Sequence, residues 1–388
     1  MDSSYKIAMY LICLAFTTPI SGTADSQQIT VFPGLDWQQA SPESQGVDST
    51  KLKAAMDYLD AAYGSAGVSE AVVIRNGYMI WKGSNINARH TVHSCTKTFT
   101  STVLGLLIDD GKCSLDTLAV QHLPSLDDQY PLYSKIKFRH LASMTSGYDG
   151  QKGESTPDKQ WGDESKYLTP AAPLFAPGTA FKYHDPAIHL LGYIMTHIAG
   201  EPLEALFKRR IADPIGMTNW EWKDLGVVDG ILLNSPSGIY NGGIHITARE
   251  LARFGHLFLN RGNWNGAQLI SASWVNQATT NQVPVSVDAP SYDGRGRYGF
   301  FWWTNGIKPN GKRPWPSAPP NTFAARGGST NWCFVIPEWN MVVVRLEALP
   351  RLSLSGIEQI WDTFFGLVAD ALEADGSDAT PAVSDDRK

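Results

Sequence analysis

Two stretches of the chain repeat apolar residues every three to four positions, the period that predicts an α-helix. The first begins where Asp48 or Ser49 can cap a helix, and it continues through Tyr63. The second covers 94–110, where a cluster of valine, leucine and isoleucine residues would bury the helix, and Gly111 marks its end. The sequence therefore predicts one helix near the start and a second, more deeply buried one later in the chain.

Strand patterns lie towards both ends of the chain. Asn76-Gly77 separates two β-rich runs, 71–75 and 78–81, and Asn-Gly between such runs is the strongest short signal for a β-hairpin. Strand-like runs return near the other end, at 298–304, 332–336 and 341–346. A last helical pattern, with apolar residues from Ile357 to Leu372, follows these runs.

The segment between the two strand-rich ends, about 95–260, is predicted to be mainly helical. This order predicts an α+β fold, in which one antiparallel sheet is built from both chain ends and flanked by helices, with the mainly helical region inserted. Ser94 lies at the first junction between the sheet and the inserted region. Because ligand pockets tend to form at such junctions, the start of the second helix is the first place to search for chemistry.

The composition narrows the classes of function. The chain has 388 residues, of which 43% are hydrophobic, enough for a sizeable core in one large domain or two smaller ones. Its net charge of -6 argues against a nucleic-acid-binding surface, because such a surface needs a clustered basic footprint. We therefore expect a globular protein that does not bind nucleic acid.

Residues 1–24 have the features of a secretory signal peptide. Lys6 precedes an apolar run over 7–19, and small residues follow at a cleavage site. Because the run is too short to span a bilayer, it predicts export to the periplasm or the medium without stable membrane insertion. The catalytic domain would then occupy 25–374, and the polar, acidic tail at 375–388 is predicted to be disordered.

Export would leave Cys95, Cys113 and Cys333 in an oxidising compartment. If one helix covers 94–110, Cys95 and Cys113 lie roughly 25 Å apart, too far for a disulfide. A bridge between Cys95 and Cys333 remains open. Thiols this widely spaced are expected chiefly as small buried hydrophobic residues, without a disulfide framework.

The second predicted helix begins with Ser94 and Lys97, which its period places on one face. A serine hydroxyl becomes a nucleophile when a nearby base takes its proton, and a lysine can act as that base when desolvation lowers its pKa. The spacing alone is a weak signal, because Ser134 and Lys137 share it in a basic stretch after Pro131 that has no long helical pattern. From the pattern alone, Ser94 is either a nucleophile or a helix cap.

Six segments now line up in order along the chain. They are Ser94-Cys95-Thr96-Lys97, Arg139-His140-Leu141-Ala142-Ser143-Met144-Thr145-Ser146-Gly147, Pro177-Gly178-Thr179-Ala180-Phe181-Lys182-Tyr183-His184-Asp185, Leu190-Leu191-Gly192 with Ala199-Gly200, Asp213-Pro214-Ile215-Gly216-Met217, and Gly242-Gly243-Ile244-His245-Ile246-Thr247-Ala248-Arg249. Together they resemble the serine β-lactamase-related hydrolases: class C β-lactamases, D-alanyl-D-alanine carboxypeptidases, and the esterases and amidases built on the same fold. The resemblance covers roughly residues 40 to 370.

The resemblance implies roles for three residues. Ser94 would attack a carbonyl and form an acyl-enzyme, and Lys97 would share or take its proton. Tyr183 would be the second group that handles protons, since a phenol beside an ammonium ionises more readily when the opposite charge favours the phenolate. The alternative is that Tyr183 is a half-buried core tyrosine.

Asp185 stands where the family motif has an asparagine. A carboxylate only accepts hydrogen bonds, whereas an amide both donates and accepts them. Asp185 could therefore hold Lys97 as a cation, which would move base catalysis towards Tyr183, or it could turn outward. We expect it to be a neighbour of the substrate-binding site.

Arg326-Gly327-Gly328-Ser329 best matches the family's third motif, Lys-Thr-Gly or His-x-Gly. The resemblance implies that Gly327 and Gly328 let the substrate lie close to the strand, and that the N–H of Ser329 completes an oxyanion hole with the N–H of Ser94. Arg326 keeps a positive charge that can clamp a carboxylate through two hydrogen bonds, or it is a surface arginine beside a glycine turn. Without a lysine or histidine here, efficient β-lactam hydrolysis is not expected.

The function that fits these features is that of a serine hydrolase, of esterase or amidase type, acting on a small-molecule or short-peptide acyl substrate. One alternative is a D-alanyl peptidase or β-lactamase with Arg326 as a carboxylate anchor, and another is a non-catalytic binding protein on the same scaffold. We expect no cofactor. We also expect no metal, because His184 and His189 are poorly spaced to share one on a helix.

Overall fold

The structure is a computed structural model that describes residues 30–65, 67–151, 164–239, 243–290, 292–346 and 354–372. The predicted signal peptide at 1–24 and the predicted tail at 375–388 lie outside the described residues. Both predictions therefore remain predictions.

The described chain contains both α-helices and β-strands. The α-helices are α1 (Ser49–Tyr63), α2 (Thr96–Asp109), α3 (Phe138–Ala142), α4 (Asp185–Ala199), α5 (Leu203–Phe207), α6 (Ala248–Leu259), α7 (Ala272–Ala278) and α8 (Leu354–Ala371). The strands are β1 (Ala71–Arg75), β2 (Tyr78–Lys82), β3 (His90–Thr91), β4 (Trp220–Val228), β5 (Ile231–Asn234), β6 (Gly243–Ile246), β7 (Asn263–Trp264), β8 (Ala267–Gln268), β9 (Trp303–Thr304), β10 (Phe323–Gly327), β11 (Asn331–Ile336) and β12 (Met341–Arg345).

Helix α1 confirms the first predicted helix and identifies its cap. The side chain of Asp48 accepts a hydrogen bond from the backbone N–H of Lys51 at 2.9 Å, which satisfies one of the unpaired donors of the first turn. Leu52, Met56 and Leu59, which recur at helical spacing, are buried. Helix α1 packs against α8, so elements from the two ends of the chain meet.

The largest sheet also joins the two ends of the chain. Its strand order is β2-β1-β12-β11-β10-β9, and every neighbouring pair is antiparallel. The predicted Asn76-Gly77 hairpin appears as β1–β2, and the strand-like runs at 332–336 and 341–346 pair as the hairpin β11–β12. Helix α8 covers one face through Trp361 and Phe365 against Phe334, while α6 packs on β11 and β12. The α+β architecture with a sheet from both chain ends is confirmed.

The predicted strand at 298–304 is mostly wrong. Only Trp303–Thr304 forms a strand, β9. The chain folds back just before it, because the N–H of Gly299 donates to the carbonyl of Trp302 at 2.8 Å and Phe301 has a φ of +67°. The buried aromatic side chains of this run therefore enter the core from a tight turn.

The inserted region carries a second sheet that the sequence reading missed. Strands β3, β6, β4 and β5 pair antiparallel in that order, and three of them lie between 220 and 246. The signal was present, since Trp220-Glu221-Trp222-Lys223 alternates apolar and polar residues at the period of a strand. The region is helical around α2 to α5 but is not helical throughout.

The second predicted helix is confirmed with a different start. A 3-10 turn, His93–Cys95, leads into α2, which ends at Asp109, just before Gly111. Residues from Thr96 to Leu107 are buried on every side of this helix. The thiols of Cys95, Cys113 and Cys333 are free, so the open Cys95–Cys333 disulfide is not formed.

Candidate active site

Ser94 lies in the 3-10 turn that joins strand β3 to helix α2. His93, immediately before it, has a φ of +48°, a left-handed conformation that is rare outside glycine. The Ser94 side chain is partly exposed, whereas Cys95 and the residues after it are buried. The turn thus presents the hydroxyl at the end of a helix whose body is inside the protein.

Four threonines let the polar side of helix α2 be buried. The hydroxyls of Thr98 and Thr102 donate to carbonyls of the preceding turn at 2.8 Å, and that of Thr100 donates to the carbonyl of Pro236 at 2.7 Å. Thr96 accepts from the N–H of Ile244 at 2.9 Å. Because each hydroxyl has a partner, burying the helix leaves no cost of unpaired polar groups at these positions.

The amine of Lys97 is held by three oxygen atoms. Nζ of Lys97 donates to Oγ of Ser94 at 2.8 Å and to the carbonyl oxygen of Ser237 at 2.7 Å. It lies 2.9 Å from Oδ1 of Asp185, and the lysine side chain is only 1% exposed. A lysine ammonium has three N–H donors and no acceptor, so three oxygens at this range match its protonated form.

Burial and charge act in opposite directions on Lys97. Burial favours the neutral amine, but the negative charge of Asp185, together with Tyr183, outweighs burial and raises the pKa of Lys97. The geometry and the electrostatics agree that this amine is a cation in the folded protein.

Asp185 and Tyr183 reach Lys97 from the start of helix α4. Asp185 is the first residue of that helix, where the helix dipole favours a negative charge, and Tyr183 comes two residues earlier. Of the two orientations that the sequence allowed for Asp185, the structure has the inward one, in contact with Lys97. The centroid of the Tyr183 ring lies 5.0 Å from Nζ of Lys97, so the phenol belongs to the same cluster.

An aromatic wall fixes the ring of Tyr183. The indole of Trp303 stacks on it with a centroid distance of 5.9 Å, and Tyr298 packs edge-on at 6.1 Å. Tyr292 contacts the same ring at 5.4 Å. The residues around Tyr183 in the sequence do not indicate this wall, because its members come from a segment more than a hundred residues further along the chain.

The Arg326–Ser329 segment runs from β10 into a 3-10 turn, Gly328–Thr330, beside the Ser94 turn. A Cβ atom on Gly327 would lie 2.0 Å from the carbonyl oxygen of Val92, so only glycine allows this contact. A Cβ on Gly328 would meet His93 at an ordinary 3.7 Å. The glycine at 327 is therefore needed to bring strand β10 against the Ser94 turn, whatever its relation to the substrate.

Arg326 faces the aromatic wall. Its guanidinium carbon lies 5.4 Å from the ring centroid of Tyr292, 5.5 Å from Trp303 and 5.0 Å from Trp332. Among the described residues, no carboxylate forms an ion pair with it. The structure thus places this cation against rings that also contact Tyr183.

Ser237 is a site residue that the sequence analysis did not find. Its carbonyl accepts from Lys97, and its hydroxyl lies 3.0 Å from Nε2 of His189. Gly238 permits this arrangement, because it has a φ of +73° and a Cβ there would lie 2.0 Å from the carbonyl oxygen of His93. A backbone carbonyl carries no signal in the side-chain sequence, so only the folded loop identifies it.

Two other features of the described residues bear on function. No group of three or more His, Cys, Asp or Glu side chains in these ranges is arranged to hold a metal ion. None of the described helices combines the length and the apolar character needed to cross a membrane.

Comparison with a family model places most of the chain in one match. The model described as Beta-lactamase matches residues 52–349. The chain is also similar to a beta-lactamase of Pseudomonas fluorescens, with 30% identity over 34% of this chain and 36% of that protein. It is similar to the 6-aminohexanoate-dimer hydrolase of Paenarthrobacter ureafaciens, with 23% identity over 60% of this chain and 64% of that protein. The matches thus span less than two thirds of either curated relative.

The same fold occurs in solved structures. The crystal structure of a family VIII carboxylesterase superimposes with a TM-score of 0.61 at 16% sequence identity, covering 84% of this chain and 99% of that one. At this level of identity the likeness concerns the fold. It supports the fold expected from the sequence, an antiparallel sheet built from both chain ends with a region inserted between them.

Proposed function

This chain belongs to the beta-lactamase family, and we propose that it is a serine hydrolase that cleaves an ester or an amide through an acyl-enzyme on Ser94. The observation that supports this best is the set of contacts made by Lys97, whose amine binds the Ser94 hydroxyl and the Asp185 carboxylate within one buried cluster. The relatives that carry esterase and hydrolase names support the same reaction class.

In this proposal, Lys97 acts as a fixed cation and Tyr183 handles the proton. Because the ammonium uses its N–H groups as donors, it cannot accept the proton of Ser94. The base in this step is the ionised form of Tyr183, whose ring centroid lies 5.0 Å from Nζ of Lys97, and it accepts the proton as Oγ of Ser94 bonds to the carbonyl carbon. This assigns to Tyr183 the base role that the sequence left open between lysine and tyrosine.

The remaining steps return the site to its starting state. The backbone N–H groups of Ser94 and Ser329 donate hydrogen bonds to the carbonyl oxygen as negative charge develops on it. Collapse of the tetrahedral intermediate breaks the bond to the leaving group, which takes the proton from Tyr183. A water molecule then gives a proton to Tyr183, adds to the acyl carbon, and releases the acid as Ser94 recovers its proton.

Arg326 supports a second candidate, a D-alanyl peptidase or β-lactamase. Its guanidinium lies beside the same aromatic wall as Tyr183 and has no ion-paired carboxylate among the described residues. A substrate carboxylate would supply that partner through two parallel hydrogen bonds. The esterase or amidase remains the leading proposal, because the Lys97 cluster requires no particular substrate charge.

The test is covalent labelling of the full chain with a fluorophosphonate and, separately, with a penicillin, followed by peptide mapping. Ser94→Ala should remove the label, whereas Ser134→Ala, at the second Ser-x-x-Lys match, should keep it. Fluorophosphonate labelling alone, with turnover of p-nitrophenyl esters, supports the esterase. Slowly released label from both reagents supports the penicillin-recognising candidate. An unlabelled Ser94 would overturn both and leave a binding protein.

A further inference from the structure

The residue that follows Ser329 holds an unfavourable backbone conformation. Thr330 has a φ of +63°, and its side chain is branched at Cβ, a combination that is a rare outlier in proteins. Such a residue is strained and persists only where its surroundings hold it. Glycine or asparagine would adopt this conformation more easily, so a contact of the threonine side chain must favour threonine here.

Arg345 makes that contact. It is the last residue of β12 and is completely buried. Its Nη1 donates to Oγ1 of Thr330 at 2.6 Å and to the Thr330 carbonyl oxygen at 3.2 Å. Its Nε donates to the carbonyl of Gly67 at 3.0 Å, and the guanidinium lies 4.0 Å from the ring centroid of Tyr63. One planar group therefore ties the turn to helix α1 and the segment after it.

Two further hydrogen bonds hold the same turn from its other sides. Nδ2 of Asn331 donates to the carbonyl of Gly328 at 2.8 Å. Sγ of Cys95, beside the Ser94 turn, donates to the carbonyl of Asn331 at 3.5 Å. The turn that carries the Ser329 N–H is thus held from the nucleophile side by Cys95 and from the core by Arg345.

We propose that Arg345 is a positioning residue, which fixes the Gly328–Thr330 turn so that the Ser329 N–H points at the developing oxyanion. This inference rests on the proposed function, since it presumes an oxyanion formed at Ser94. Arg345 is completely buried and acts through its hydrogen bonds to Thr330. Arg345 can fix the turn because its guanidinium is planar and holds several N–H donors in a rigid arrangement, which a lysine ammonium does not reproduce.

The chain supplies a matched control in Arg253. This arginine is also buried, also lies over an aromatic ring, Trp37, and also donates to backbone carbonyls, at 2.9 Å to Ile215 and to Gly34. It makes no contact with the Gly328–Thr330 turn. Arg345→Lys and Arg253→Lys therefore remove similar core interactions, but only the first removes a contact to the turn.

The experiment measures melting temperature, kcat, KM and the affinity of phenylboronic acid, which forms a tetrahedral adduct with an active serine. Both variants should melt at lower temperature than wild type. At a temperature where both remain folded, Arg345→Lys should lower kcat and boronate affinity together by about 10- to 100-fold, with KM nearly unchanged. Arg253→Lys should leave all three close to wild type.

A milder variant keeps the test decisive if Arg345→Lys does not fold. Thr330→Val retains the branched side chain but removes the hydroxyl oxygen, one of the two Thr330 oxygens that Arg345 binds, and it should lower kcat and boronate affinity in proportion. Equal kcat losses in Arg345→Lys and Arg253→Lys, or a Thr330→Val enzyme with normal boronate affinity, would overturn this role alone. Wild-type protein that no fluorophosphonate labels at Ser94 would overturn the proposed function as well.

Discussion

Nζ of Lys97 lies 2.9 Å from Oδ1 of Asp185, where the family motif carries a neutral asparagine. The carboxylate counteracts the effect of burial and raises the pKa of Lys97. This one substitution changes the part that the lysine can take in the reaction, because a stable ammonium donates hydrogen bonds and stabilises negative charge but accepts no proton.

As pH rises, the Asp185→Asn variant should lose activity at a lower pH than the wild type does. Without the carboxylate, burial acts on Lys97 with less opposition, so the pKa of the amine falls and the ammonium is lost earlier as pH rises. The measurement is the alkaline limb of the kcat/KM profile. Asp149→Asn is the control, because Asp149 pairs with His184 near the same helix start. An alkaline limb that stays in place would argue against Lys97 acting as a cation.

Lys97→Ala should lower turnover at least tenfold, because it removes the cation beside the ring of Tyr183 and a hydrogen bond to Ser94. Lys137→Ala is the matched control from the second Ser-x-x-Lys segment, where the lysine forms an ion pair with Asp116. Steady-state rates on a p-nitrophenyl ester decide the matter. Near-normal turnover in Lys97→Ala would show that the amine does not contribute to catalysis.

Tyr183→Phe should also lower turnover at least tenfold, because the ring keeps its packing and loses only the group that carries the proton. Tyr298→Phe is the control, since Tyr298 packs on the ring of Tyr183 and its buried hydroxyl has no hydrogen-bond partner among the described residues. Comparable melting temperatures should accompany unequal rates. Equal rates in the two variants would show that Tyr183 is a core tyrosine that carries no proton in the reaction.

Gly327→Ala should be far more harmful than Gly328→Ala. The new methyl group on residue 327 would meet the carbonyl oxygen of Val92 at 2.0 Å, so the backbone before Ser94 has to move, at a cost of about 1–3 kcal/mol. The methyl group on residue 328 would sit 3.7 Å from His93. Thermal unfolding and ester turnover of the two variants test this difference. A stable, active Gly327→Ala protein would contradict the close approach.

Stability should decrease as pH falls from about 6.5 towards about 4. Burial lowers the pKa of His189 and of His256 to about 4, below the value of 6.5 for an exposed histidine. Between these pH values the unfolded chain binds more protons than the folded one, so protonation favours unfolding, whereas above 6.5 both states leave these histidines neutral. Urea unfolding at pH 7, 5.5 and 4.5 measures the slope.

His189→Asn provides the matching check on that slope. Removing one of the two buried histidines should make the loss of stability between pH 7 and 4.5 smaller, even if the variant is less stable at pH 7. The same slope in wild type and variant would show that other groups cause the acid sensitivity.

Local features of the fold could be predicted wherever a short segment carries its own signal. The Asp48 cap, the Asn76-Gly77 hairpin turn and the spacing of Ser94 and Lys97 all depend on residues within a few positions of one another. The strand predicted at 298–304 was mostly wrong for the opposite reason. Its residues favour strands, but the packing of buried rings in the core imposed a turn at Phe301.

Patterns in the chain were enough to predict that a hydroxyl and an amine share one helical face behind a strand, and that strands lie at both ends. Three contacts could be seen only in the folded protein: Asp185 turns towards Lys97, a carbonyl 140 residues away at Ser237 completes the contacts of that lysine, and Arg345 holds Thr330. The physical reason is distance along the chain. These partners meet only after helices α2 and α4 and the central sheet have packed, and no local pattern records that meeting.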